Sequence, residues 1–204
     1  MITDNIVSKI NIEFVNIAII ANPLNGLDSL CASIALKELI KSAIPKNRNI
    51  SVDIYYLDNL PFGSEILKDT SKIKNNLGEK SLEITFPTTN TSKVTYNYEQ
   101  KAKVFKINLI GFEGKIPLKK DIKFKEVKET FDLIIGMGFK DIKNFEEYHK
   151  EIETAKRKEI FNIKNLNSKS LTEGIMDLFY KEKIKPNKTA SLAFFTYLSS
   201  TSAK

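Results

Sequence analysis

Amide and carboxylate side chains are concentrated in the short polar segments that follow apolar runs of this chain. Their groups suit hydrogen bonding with a ligand, and the residues are Asn22, Asn25, Asp28, Asp58, Asn165 and Asn167. Short loops rich in Asn and Asp also form turns and helix caps without any ligand. Residue type and spacing alone favour turns and caps, so a binding interpretation depends on where the fold places these segments.

The chain has too few histidines and cysteines for the sites that these residues commonly build. With one histidine, His149, and one cysteine, Cys31, the chain forms no zinc site, no Ser-His-Asp arrangement and no disulfide scaffold. His149 stands in a charged helical stretch and is interpreted as a surface residue. Cys31 lies on the apolar side of a predicted helix and is interpreted as a small core residue. The Gly-Met-Gly at 136–138 lacks the third glycine and the acidic residue of a dinucleotide-binding turn.

Four nearly continuous apolar runs predict buried strands. They occupy residues 14–20, 51–57, 131–138 and 160–163. Helical spacing of apolar residues, capping residues and a proline predict the helices between and after them. The predicted helices run from Asp28 or Ser29 to the break at Pro45, and over 65–74, 145–154, 171–183 and 189–198.

The stretch 81–117 has a different pattern, in which polar and apolar residues alternate. The alternation over 82–86, 94–98 and 104–110 predicts three antiparallel strands. The fold class is therefore α/β, with a mostly parallel open sheet flanked by helices and an antiparallel β insertion over residues 80–118.

In open α/β sheets, ligands bind in the crevice beyond the carboxyl ends of the strands. Four loops of this chain would share that edge, and they begin at Ala21, Asp58, Gly138 and Lys164. The polar residues named above belong to these loops or lie close to them. The predicted fold therefore brings them to one side of the sheet.

The order of these loops resembles the DHH phosphoesterase family, whose members are Mn-dependent hydrolases of phosphodiesters, oligonucleotides, nucleotides or pyrophosphate. In that family the first strand ends in a metal-binding His followed by Asn-Pro-Asp-x-Asp. The resemblance implies that Asn22, Pro23 and Asp28 occupy positions of this motif. Ala21 stands in place of the histidine and Gly26 in place of the first aspartate, with extra residues before Asp28.

The other metal motifs of the family lack their ligands in this chain. The strand motif Asp-Leu-Ile-Ile-x-x-Asp ends in Gly138, and the signature Ile-Asp-His-His-x-x-Asn falls on 163–169, with Lys164 in place of the aspartate. The fourth aspartate falls near Ser200. Asp28 is the one carboxylate retained, and a two-metal centre needs several oxygen and imidazole ligands. Hydrolysis by the family mechanism is therefore not expected, and no catalytic or metal-binding residue is assigned.

The leading hypothesis is a catalytically degenerate DHH-like protein that acts by binding a nucleotide, another phosphate-bearing ligand or a protein partner. Lys164 would neutralise phosphate charge, and amides and a hydroxyl would donate hydrogen bonds. The ligand-cleft candidates are Asn22, Asn25, Asp28, Lys164, Asn165, Asn167 and Ser200. No cofactor is expected. The family's smaller C-terminal substrate domain has no expected counterpart in residues 1–204, which are interpreted as a single DHH-like domain. The alternatives are a lone domain, a truncated chain and a domain whose missing wall comes from a partner.

Two alternatives belong to other functional classes. One is an active Mn- or Mg-dependent phosphoesterase acting on nucleotides or oligonucleotides, which would draw on Asp58 or Asp141. The other is an oligomerising interaction module, in which the β insertion exposes an edge for strand addition or subunit pairing.

The charge of the chain does not by itself indicate nucleic-acid binding. The net charge is +7, from 32 Lys and Arg against 25 Asp and Glu, but the lysines are interleaved with acidic residues. Arg48 and Arg157 are the only arginines, and arginine forks dominate base recognition, so specific DNA binding is not expected. The sequence has no apolar run long enough to span a membrane and no signal-peptide pattern. It predicts a soluble protein of the reducing cytosol.

Overall fold

The computed structural model divides the chain into two compact units. One contains Met1–Gly78 and Thr130–Lys204, and the other contains Glu79–Glu129. The structure describes residues 15–45, 47–67, 72–77, 80–87, 91–99, 103–111, 118–128, 130–148 and 155–202.

Nine strands lie in the described part of the chain. They are β1 Asn16–Ala21, β2 Ser51–Tyr55, β3 Ile73–Lys74, β4 Lys80–Thr85, β5 Thr91–Glu99, β6 Val104–Gly111, β7 Lys123–Lys128, β8 Leu133–Met137 and β9 Arg157–Phe161. Five of them form one sheet of the first unit in the order β3-β2-β1-β8-β9, and every neighbouring pair is parallel. The four apolar runs of the sequence are confirmed as the strands β1, β2, β8 and β9.

The fifth strand, β3, departs from the sequence prediction. The sequence predicts a helix over 65–74. Residues 65–67 are helical, but Ile73 pairs with Ile54 at the edge of the sheet. Residues 68–71 lie outside the described part of the chain. A two-residue strand is too short to show a periodic pattern in the sequence. Its pairing with β2, rather than the β propensity of its own residues, stabilises it.

Besides the helical residues 65–67, five α-helices are described. They are α1 Gly26–Ala43, α2 Ile142–Tyr148, α3 Ile163–Leu166, α4 Leu171–Lys181 and α5 Lys188–Ser202. The predicted helices at α1, α4 and α5 are confirmed. α1 begins before Asp28 and Ser29, with Asn25 at its N-cap position, so the predicted cap is wrong. The predicted helix 145–154 begins at Ile142, and 149–154 lie outside the described residues. No described helix has the length and apolar composition needed to cross a membrane.

Apolar side chains cover both faces of the parallel sheet. Ile17 and Ile19 of β1 belong to a buried cluster with α1, α4 and α5, whereas Ala18 and Ile20 point to the other face, towards Phe139 and Phe145. A strand that is buried on both faces needs apolar residues at every position. This explains why the central strands β1 and β8 are continuous apolar runs in the sequence rather than alternating ones.

The second unit consists of two antiparallel pairs in its described residues. β4 pairs with β7, and β5 pairs with β6. The three predicted antiparallel strands are thus present, but a fourth, β7, lies beyond the predicted end of the insertion at residue 118. β7 is rich in lysine, a composition that is depleted in strands, so its sequence gives a weak strand signal.

Asp132 joins the beginnings of three strands in the parallel sheet. Its carboxylate accepts hydrogen bonds from the backbone N–H groups of Val15 and Asn16, at 2.9 and 3.0 Å, and from Lys156 Nζ at 2.6 Å. The hydrogen bond from Lys156, followed by those from the two backbone groups, lowers the pKa of Asp132 from 3.8 to about 2.

This pKa difference predicts an acid-dependent loss of stability. Because the folded-state pKa is lower than the unfolded one, the stabilisation is complete above about pH 4 and is lost as the pH falls towards 2. We expect the urea midpoint of the Asp132→Asn variant to fall less steeply over this interval than that of the parent protein. Asp177→Asn, which alters an exposed carboxylate on α4, is the control. Parallel pH profiles for all three proteins would contradict the assignment.

Candidate functional site

A pocket of about 450 Å³ lies where β1, β8 and β9 end. The connection from β1 through α1 leads to β2 on one side, and that from β8 through α2 leads to β9 on the other. Ligands in open α/β sheets bind where neighbouring strands send their connections in opposite directions. The pocket is lined by Asn22, Leu24, Asn25, Gly138, Phe139, Lys140, Asn144, Asn162, Ile163, Lys164 and Leu171.

Two asparagine side chains from the loop after β1 hold the loop after β8. The Nδ2 atoms of Asn22 and Asn25 donate to the Gly138 carbonyl at 3.1 and 2.8 Å. The Asn22 Oδ1 atom also accepts the Leu24 N–H at 3.0 Å, and Asn22 is buried. A side-chain amide nitrogen carries two hydrogens, so each has one more to donate.

Gly138 makes this arrangement possible through its missing side chain. Its φ is +85°, a region that glycine adopts without penalty. A Cβ atom here would overlap the Asn25 amide and lie 2.9 Å from Cδ1 of Leu171. A side chain at position 138, where the resemblance to the DHH family would place an aspartate, would therefore require Asn25 and Leu171 to move and the backbone to hold a strained φ.

Asn162 connects the loops after β8 and β9, and the sequence analysis missed it. Its Nδ2 donates to the carbonyls of Phe139 and Lys140 at 3.3 and 3.0 Å. Its Oδ1 accepts the Asn165 N–H at 2.9 Å, while Asn165 Oδ1 accepts the Asn162 N–H at 2.6 Å. This reciprocal pair is a capping box for α3. Two asparagines three residues apart, Asn162 and Asn165, were the signal in the sequence that could have indicated this cap.

Two lysines supply the charge of the pocket. Lys140 follows β8, Lys164 lies in α3 just after β9, and both side chains are exposed. Within the described part of the chain, neither ammonium group takes part in an ion pair. Among the described residues, the pocket lining contains no carboxylate. The pocket is therefore electrostatically suited to an anion.

Asp28 lies outside the pocket lining and makes hydrogen bonds to α4. Its Oδ2 and Oδ1 atoms accept the N–H groups of Leu171 and Thr172, at 3.0 and 2.9 Å, and its own carbonyl accepts the Thr172 hydroxyl at 3.0 Å. These N–H groups belong to the first turn of α4, which has no intrahelical acceptor for them. Asp28 thus attaches α4 to α1.

The remaining sequence candidates also lie outside the pocket lining. Asn165 donates its amide to the Ile160 carbonyl at 2.7 Å and is used in the α3 cap. Asn167 ends α3 in a left-handed conformation and lines a different cavity, near Glu173. Ser200 donates to the Tyr197 carbonyl at 2.7 Å within α5. Of the seven candidates, the structure brings Asn22, Asn25 and Lys164 together.

The carboxylates considered for a metal centre do not form a ligand set. Asp58 Oδ1 accepts the N–H of Asn59, and Asp141 Oδ1 accepts the N–H of Asn144. No group of three or more His, Cys, Asp or Glu in the described residues could hold a metal ion. These residues do not fit the two-metal chemistry of the alternative hypothesis.

Cys31 lies outside the pocket lining. Cys31 is buried in α1, and burial is the main cause that raises its pKa to about 12, so it is a protonated, unreactive thiol at neutral pH. This agrees with its interpretation as a core residue. His149 lies outside the described residues.

Comparison of the chain with protein-family models, with curated proteins and with solved structures gives no match. The resemblance to the DHH family therefore stays a prediction from the loop motifs.

Proposed function

We propose that this protein binds an anionic, phosphate-bearing ligand in the pocket at the ends of β1, β8 and β9, without a metal ion. The observation that carries the proposal is that Lys140 and Lys164 are the charged residues in the pocket lining. The Asn22 and Asn25 amides line the same pocket and each carry one hydrogen beyond the bond to Gly138, and amide donors with ammonium groups are ligands for phosphate oxygens. Divalent cations would compete with the two lysines for the phosphate oxygens of the ligand.

The proposal includes a degenerate relationship to the DHH family. The matched aspartate position holds Gly138, where a side chain would overlap the Asn25 amide and Leu171. The retained carboxylate, Asp28, accepts two N–H groups of α4. Both observations support a binding protein whose cleft uses lysines and amides where the family uses metal ions.

Removal of one pocket lysine should weaken anion binding about tenfold or more. A hydrogen bond to a charged group contributes about 1.5–3 kcal/mol, and each 1.4 kcal/mol corresponds to a factor of ten. We expect Lys164→Ala to raise the Kd of pyrophosphate, measured by isothermal titration calorimetry on the full chain, and Lys140→Ala to do the same.

Lys143→Ala is the matched control, because Lys143 is exposed on α2 and lies outside the pocket lining. It changes the net charge equally and should leave the Kd within about twofold of the parent. Equal affinities for Lys164→Ala and Lys143→Ala would refute the site. Added Mg²⁺ should weaken the binding of pyrophosphate, because Mg²⁺ competes with the lysine ammonium groups for the phosphate oxygens. Tighter binding with Mg²⁺ would instead favour a metal-dependent phosphoesterase.

A second candidate function, self-association, is favoured by an exposed apolar face on the β5–β6 pair. Tyr96, Tyr98 and Phe105 on this face are 77%, 57% and 58% exposed. Two-stranded sheets are marginally stable alone, and an exposed apolar patch marks an interaction site. The face combines three residues of each strand that lie opposite one another: Val94, Tyr96 and Tyr98 with Leu109, Ile107 and Phe105.

Packing of this face against the same face of a second copy would cover both. We expect the weight-average mass from sedimentation to rise with concentration and to stay at the monomer value after the double substitution Tyr96→Ser with Phe105→Ser. The control is Thr95→Ser with Asn97→Ser, on the other face of the same hairpin. A parent protein that stays monomeric at all concentrations would exclude this function.

A further inference from the structure

The pocket is larger than a phosphate group requires. Its volume of about 450 Å³ lies in the range of sites that enclose organic ligands, about 300–1,000 Å³. A single tetrahedral anion bound between Lys140 and Lys164 would fill only a fraction of this space. The remaining volume leaves room for a second ligand group.

The chemistry of the remaining wall indicates what that group is. Leu24, Phe139, Ile163 and Leu171 line the pocket together with the polar residues. Phe139 and Leu171 are buried, but Leu24 is 85% exposed and Ile163 is 46% exposed. When an apolar ligand surface covers large apolar side chains that are exposed at a pocket mouth, the free energy of binding becomes more favourable.

Charge and apolar surface are close together in this wall. Ile163 and Lys164 are consecutive residues after β9, and Leu24 lies between Asn22 and Asn25 after β1. β1 and β9 flank β8, so Leu24 and Ile163 come from loops two strand spacings apart, about 10 Å. A ligand that contacts both sides therefore carries its apolar part next to its anionic part.

We infer that the pocket takes a phosphate monoester with a compact apolar body, and that Leu24 and Ile163 hold this body while Lys140 and Lys164 hold the phosphate. This inference rests on the proposed function and specifies its ligand class. It assigns to Leu24 the role of a specificity residue, which separates organic phosphates from the inorganic anion.

Titration of the full chain with phenyl phosphate and with inorganic phosphate tests the inference. We expect phenyl phosphate to bind about five- to tenfold more tightly, since part of a leucine-sized surface is covered. Leu24→Ser should remove most of this difference and leave the Kd of inorganic phosphate unchanged. The matched control is Phe62→Ser, because Phe62 is 96% exposed in the loop after β2 but does not line the pocket.

The outcomes separate this inference from the proposed function. Equal Kd values for the two phosphates, both weakened by Lys164→Ala, would overturn the inference and keep the anion site. A preference for phenyl phosphate that survives Leu24→Ser would also overturn it. Absence of any binding that depends on Lys164 would overturn both. Benzyl alcohol, which has the ring without the phosphate, should not bind detectably, because the phosphate contacts supply most of the affinity.

Discussion

Replacement of Asp28 by alanine is expected to lower the free energy of unfolding by about 2–4 kcal/mol. Its carboxylate accepts the N–H groups of Leu171 and Thr172, which no other group of α4 can accept. Loss of a helix cap costs about 0.5–2 kcal/mol, and hydrogen bonds to a charged group contribute about 1.5–3 kcal/mol. The measurement is urea unfolding in buffer without divalent metal ions.

Two other substitutions control this prediction. Asp28→Asn keeps one acceptor oxygen and should lose about half as much stability. Asp177→Ala removes an exposed carboxylate of α4 and should change the unfolding free energy by less than about 0.5 kcal/mol. If Asp28→Ala is as stable as Asp177→Ala, the α1–α4 contact does not stabilise the fold. The prediction also means that lost ligand binding in Asp28→Ala would not by itself identify Asp28 as a ligand contact.

Gly138→Ala is expected to destabilise the protein by about 2–3 kcal/mol and to abolish tight anion binding. A non-glycine residue at positive φ costs about 1–2 kcal/mol. The new Cβ atom would also displace the Asn25 amide, which donates to the Gly138 carbonyl at 2.8 Å. We expect urea unfolding to show the destabilisation and calorimetry with pyrophosphate to show the loss of binding.

Gly63→Ala separates the two causes, because Gly63 has the same φ of +85° but a Cβ there would meet only Cδ2 of Leu27, at 3.8 Å. In this variant the free energy of unfolding should fall by about 1 kcal/mol from backbone strain alone, and the anion affinity should stay unchanged. Adding Asn25→Ala to Gly138→Ala should recover part of the stability, since the overlapping amide is removed. A Gly138→Ala protein that binds pyrophosphate normally would refute the role assigned to this loop.

The parallel sheet could be predicted because burial on both faces leaves a clear trace in the sequence. β1 and β8 are apolar at nearly every position, and Pro45 marks the end of the first long helix. β3 and β7 could not be predicted in the same way. β3 is stabilised by its pairing with β2, and the lysines of β7 weaken its strand signal.

The candidate site could be predicted only in part, for a similar reason. Asn22, Asn25 and Lys164 were found because they follow apolar strands, and the strand ends share one edge of the sheet. Lys140 and Asn162 were missed, because a single lysine or asparagine beside a strand end has no pattern that separates a pocket residue from an ordinary surface residue. Their places in the pocket depend on the strand order, in which β8 lies between β1 and β9.

The sequence by itself determined the α/β class, the main strands and the polar character of the loops at their carboxyl ends. Local periodicity and composition encode these features, since each depends on which residues must be buried. The tertiary structure alone decided the role of each polar residue. Asp28 and Leu171 are 143 positions apart, and only folding brings the carboxylate to the unpaired N–H groups of α4. An exposed carboxylate can bind a ligand, whereas one that accepts two backbone hydrogen bonds stabilises the fold.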